Sequence, residues 1–148
     1  MRDKRFIAVH RGGLLLPEHH RLLMRWAIVC AEHLLPLYGQ PPGEQLLLAL
    51  SVARRWADGA ATVGEARKAS VACLSLAREC SDPVAVSVVR AVGHAVATAH
   101  MADHALGPAW YGMKAVKAAG LPLEPERTWQ NEQLPPEIRE LVLETTGK

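Results

Sequence analysis

The feature that most constrains this chain is the punctuation on either side of one long apolar run. Asp82-Pro83 reads as a helix start, because an aspartate oxygen accepts from the first free N–H groups and a proline at the first helical position leaves no N–H unsatisfied. Gly107-Pro108 reads as a stop. Between them the run VAVSVVRAVGHAVATAHMADHAL contains no proline, so the spacing predicts one central helix over 84–106. At ~1.5 Å per residue its 24 or so residues would span roughly 36 Å, about the width of a small domain. Val88, Val92, Ala95, Val96 and Ala99 recur at helical spacing, and the alanines let neighbouring helices approach closely.

Similar punctuation divides the rest of the chain. Pro17 opens a helix in which Leu22, Leu23, Trp26, Ala27, Cys30, Ala31 and Leu34 keep one apolar face, and Pro36, Gly39 and Pro41-Pro42 end it. A second helix runs from Glu44 to Asp58 and stops at Gly59. Thr62-Val63-Gly64-Glu65 is a capping box that fixes the start of a third, whose inner stripe is Ala66, Ala69, Cys73, Leu76, Ala77 and Cys80. A fifth is expected from Pro108 to Ala119, with Trp110 and Tyr111 wedged against the core. Short helices after Pro122 and Pro135-Pro136 complete the pattern as a brace over 121–148. Residues 1–16 form an arm: RFIAVH is strand-like, but nothing else in the chain could pair with it in a sheet, and Arg11-Gly12-Gly13 reads as a turn. The expectation is all-α, a compact single-domain bundle of five longer helices and one or two short C-terminal ones, with a short extended N-terminal arm, over 1–148.

Polar residues are scarce in the central run, which makes His94, His100, Asp103 and His104 the candidate structural or binding cluster, with Trp110 and Tyr111 close behind. On a continuous helix His100, Asp103 and His104 share one broad face, while His94, Thr98 and Met101 lie on another. His100 and His104 at i,i+4 make half of a metal site, but HExxH, a repeated ExxH and CxxC are all missing from the sequence. No metal or cofactor is therefore expected. The simpler reading is a set of interhelical hydrogen bonds in which Asp103 accepts from an imidazole. A metal- or histidine-dependent enzyme with its site on the His94–His104 helix stays open as the alternative.

Charge excludes one class of partner. With 17 Lys and Arg against 15 Asp and Glu, a net +2 is too small to imply nucleic acid without a basic stripe or motif. The sign is uneven, since residues 1–25 carry six basic and two acidic groups and residues 121–148 three basic and six acidic. The simplest consequence is attraction between the two ends. Cys30, Cys73 and Cys80 have no disulfide-framework spacing and are expected reduced and buried. No apolar stretch reaches the ~18 residues of a membrane span and no signal-peptide pattern opens the chain, so a cytoplasmic protein is expected.

Four segments together resemble a known family. RFIAVHRGG, HRLLMRWAIVCAEHLLPLY, ARRWADG followed by VGEAR, and VGHAVATAHMADHALGPAWYGMKAV are similar to the bacterial putative immunity proteins of the Imm-5-like type, an all-helical domain. The similarity extends to the WQ and LPPEIRELV tail, and HAVATAHMADHA is its most specific part. Residues 40–50 and 73–80 depart from the family pattern, at helix ends and packing positions rather than in the His-rich stretch. The resemblance implies a small protein that binds and neutralises a bacterial toxin, a role that requires a rigid scaffold with a complementary patch and no catalytic group.

Overall fold

The structure, a computed structural model, describes residues 2–146. Among them are seven α-helices and no strand: α1 (Pro17–His33), α2 (Glu44–Ala57), α3 (Val63–Glu79), α4 (Pro83–Ala97), α5 (Gly107–Ala118), α6 (Leu123–Glu132) and α7 (Pro136–Thr146). The first five have 12 to 17 residues and the last two 10 and 11, in keeping with the expected five longer helices and one or two short C-terminal ones.

Local chemistry sets the helix starts. Thr62 Oγ1 accepts from Glu65 N at 3.0 Å while Glu65 Oε1 accepts from Thr62 N at 2.9 Å, the reciprocal capping box. Asp82 Oδ2 accepts from Ala85 N at 3.1 Å ahead of Pro83. Turns follow the glycines, with Gly39, Gly59 and Gly120 all at positive φ.

Helix α4 is the hub, packed against α1, α2, α3 and α5. Val88, Val89, Val92 and Val96 are fully buried, and one apolar cluster runs from Phe6 in the arm to Val142 in α7. Where α3 meets α4, a methyl group on Gly93 would lie 3.1 Å from Cys73 Cβ, so the backbones are as close as a missing side chain allows. Cys30 and Cys73 are buried free thiols, and burial raises both, Cys73 to about 11. Cys80 is only half-buried, its thiol donating to the Leu76 carbonyl. No described helix is long and apolar enough to cross a membrane.

Two segments differ from the expectation. Residues 3–15 wind into 3-10 turns at Lys4–Phe6 and Val9–Arg11, with strand-like pairing among the described residues reduced to a single parallel bridge between Ala8 and Leu15. Arg5 then reaches Glu144 of α7 at 2.8 Å, joining the basic end to the acidic one.

The larger difference lies in the long central helix. A continuous helix over 84–106 does not form: α4 ends at Ala97, Met101 is extended (φ −145°, ψ 104°), a 3-10 turn covers Ala102–Leu106, and Gly107 begins α5 instead of ending α4. The reason comes from α1. His20 Nε2 donates to the Thr98 carbonyl at 2.6 Å, taking the acceptor that continued helix would offer to the Ala102 N–H. The fully buried Thr98 turns its own hydroxyl back to the His94 carbonyl at 3.1 Å.

Candidate functional site

Breaking the helix rearranges its histidines. His94, assigned by continuous periodicity to a different face from His104, meets it instead, Nδ1 to Nδ1 at 3.3 Å with the rings edge-on and 5.0 Å apart. One ring donates and the other accepts, which requires at least one neutral imidazole. His100 lies 5.5 Å from His104 and Tyr111 lies 5.2 Å from His94, centroid to centroid. The three histidines and Tyr111 border one cavity of about 450 Å³. His94 and His104 also border a second, of about 770 Å³.

A close backbone approach positions the pair. A methyl group on Gly107 would lie 2.6 Å from Cβ, Cγ and Nδ1 of His94, so only glycine lets α5 start against that ring. Burial is the main force lowering the proton affinity of all three imidazoles, reinforced at His94 and His100 by the neighbouring His104. At His104 the Asp103 carboxylate opposes that shift without overcoming it. His100 Nδ1 is buried without a hydrogen-bond partner among the described residues.

Two expected contacts are replaced. Asp103 does not accept from an imidazole: it sits half-exposed and pairs with Arg2 at 3.0 Å, because the 3-10 turn points it towards the arm. Trp110 is not a core wedge either. Its position near the start of α5 leaves it 62% exposed, with Lys114 Nζ 5.7 Å from the ring centroid. Tyr111, one position on, does pack against the core. Among the described residues no three His, Cys, Asp or Glu side chains converge as ligands for one metal ion.

A second polar group escaped the sequence reading. Glu126 and Gln130 on α6 are buried, at 7% and 2% exposure. Gln130 Nε2 donates to the Ala109 carbonyl at 3.0 Å and to Glu126 Oε2 at 3.3 Å, and Trp26 Nε1 donates to the Gln130 carbonyl at 3.0 Å. His33 stacks on Trp129 at 3.6 Å with its Nε2 3.2 Å from Glu126 Oε1. This seam closes α6 over α5 at Gly112, where a methyl group would come within 2.9 Å of Gln130 Nε2. The only local signal was the i,i+4 spacing of Glu126 and Gln130, which an exposed helix face shows equally well.

The 770 Å³ cavity lies between this seam and the broken segment. Buried Trp26 and Val142 form its inner wall, exposed Trp110 its outer edge, and Arg2, Asp103 and Arg127 supply the charges. The arrangement offers a concave, largely apolar recess with a neutral imidazole pair on one side.

Comparison with known proteins places this architecture. No curated protein and no solved structure matches the chain. Residues 13–137, from the end of the arm into the first turn of α7, match the family described as Imm-5 like putative immunity protein. By that match, which takes in α1 to α6 and every residue of the histidine cluster, the chain belongs to the Imm-5 like putative immunity protein family.

Proposed function

We propose that this protein binds a cognate bacterial toxin and neutralises it by occlusion, without chemistry of its own. Family membership across residues 13–137 carries the reading. The fold supports it in physical terms. Small-residue contacts at Gly93, Gly107 and Gly112 lock α3, α4, α5 and α6 into a stiff frame, which lowers the ordering cost of association. On that frame Trp110 stands 62% exposed beside Lys114, and tryptophan beside a recess is the residue type that most often anchors an interface.

The test is to co-express the protein with toxins encoded by neighbouring genes and to score growth rescue together with isolation of a stoichiometric complex. Rescue and a complex, both weakened by Trp110→Ala, are the expected result. If no adjacent toxin is either bound or neutralised, the reading fails.

A histidine-dependent enzyme is the second reading, and the observation in its favour is the position of His94 and His104 on the wall of the larger cavity. Substrate turnover lost in both His94→Gln and His104→Gln, with folding intact, would establish it over occlusion.

A further inference from the structure

The cavity of about 770 Å³ falls within the size range of small-molecule sites, roughly 300–1,000 Å³. Its chemistry follows from which bordering polar groups are already engaged inside the protein. The Trp26 indole N–H is given to the Gln130 carbonyl, and the Gln130 amide to Ala109 and Glu126. The Thr145 and Thr146 hydroxyls donate one turn back within α7, to the Leu141 and Val142 carbonyls. Arg2 is paired with Asp103.

Arg127 is the charge left over. Its Nε is buried without a hydrogen-bond partner, and none of the ion pairs among the described residues includes it. A partly buried guanidinium has lost water on one side and gained no counter-charge, a debt that a carboxylate bound through two parallel N–H donors would offset. Apart from Asn131 and the mutually bonded His94–His104 pair, the remaining walls are apolar: Trp26 and Val142 inside, Leu106 and Met101 along the broken segment, and Trp110 at the mouth.

We propose that this cavity binds a small monocarboxylate with an apolar, ring-sized body, its carboxylate on Arg127 and its body between Trp26 and Trp110. The proposal goes beyond toxin binding and is tested without a toxin. A free organic acid and the carboxyl terminus of a peptide present the same chemistry, so the probes separate the two sources.

The experiment titrates the isotope-labelled full chain with four compounds while following the indole N–H resonances of Trp26 and Trp110. Phenylacetate carries both features, phenylacetamide lacks the charge, acetate lacks the body, and N-acetylglycylphenylalanine presents a chain end. The expected result is saturable shifts with phenylacetate or the peptide acid, whichever source the site is shaped for. Phenylacetamide should bind at least about tenfold more weakly, the scale of one charged hydrogen bond, and acetate should also bind more weakly because it buries no ring. Arg127→Gln should erase the preference of acid over amide. Trp110→Ala, a change at an exposed position, should weaken the acids several-fold in a folded protein. Should Arg127→Gln fail to fold, Arg127→Lys keeps the charge without the fork and is expected to bind with intermediate affinity. Equal affinity for phenylacetate and phenylacetamide, unchanged acid binding in the Arg127 variant, or no saturable shift with either ring-bearing acid would overturn the proposal.

Discussion

At its N-terminal end α4 is held by neighbours in the chain: Asp82 reaches three residues forward to Ala85, and Pro83 supplies a pre-set φ. At its C-terminal end the partner is His20, 78 residues away on α1, which takes the Thr98 carbonyl and releases the backbone into an extended residue and a 3-10 turn. The two regions on either side of that point differ accordingly. Residues 62–97 are locally capped helices meeting through alanine, valine and Gly93, whereas residues 98–107 have no cap of their own and take their shape from what packs on them. The second region carries His100, Asp103 and His104 and borders the larger cavity. Three of the four polar residues of the candidate cluster therefore lie where local propensity has been overridden.

Two glycines, one in each region, separate the two regions most directly. Gly107→Ala drives a methyl group to 2.6 Å from three atoms of His94 and should cost about 3 kcal/mol in urea denaturation, with loss of the His94–His104 contact. Gly93→Ala meets Cys73 Cβ at 3.1 Å inside a regular helix, where better helix propensity returns up to ~1 kcal/mol. Its net effect should be under about 1 kcal/mol. Equal costs would show that the broken segment is no more tightly constrained than the α3–α4 contact.

His20→Ala comes next. Removing the donor to a carbonyl of the fully buried Thr98 should cost about 2 kcal/mol and speed amide exchange across 98–106 while leaving 83–97 protected. Protection lost uniformly along α4 would mean that His20 holds the bundle rather than the break.

Acidification probes the same region without mutation. His20, His94, His100 and His104 all have folded pKa values below the ordinary 6.5, with burial the first cause at each. Each is neutral in the folded chain while the unfolded chain takes up protons. Stability is thus complete above about pH 6.5, declines as pH falls through that value towards the folded pKa values, and levels off below them. Melting temperature should fall between about pH 7 and about pH 5. The slope should be shallower in the His94→Gln/His104→Gln double variant, and an identical slope would remove the pair from the account.

The smallest effect belongs to the locally encoded region. Thr62→Ala removes one cap and should cost ~1 kcal/mol, with no change in any binding activity. A larger loss, or one spreading into 98–107, would show that the two regions are not energetically separate.

Much of the fold was legible because it is written in short-range chemistry. The Thr62–Glu65 box, Asp82-Pro83 and the prolines opening α1 and α7 place helix starts within one turn of the residues responsible, and valine spacing identified α4 as buried. The candidate cluster was legible as a list of residues, not as a geometry. Periodicity extrapolated from Val88 through His104 separated His94 from His104, since no residue between Thr98 and Gly107 shows by itself that His20 will claim a carbonyl. For the same reason Arg2 rather than an imidazole holds Asp103, and α6 buries Glu126 and Gln130 although their spacing also suits a solvated face.

The helical class, the helix starts, the central position of α4 and, through its motifs, the family are written along the chain. Folding in three dimensions settles where α4 stops, which histidines touch, and that a cavity bordered by Arg127, which makes no ion pair among the described residues, lies between α1 and the last three helices. A helix start is set by side chains close enough along the chain to reach their own backbone. A buried carbonyl or guanidinium, by contrast, is satisfied or left unsatisfied by groups that only folding brings near it.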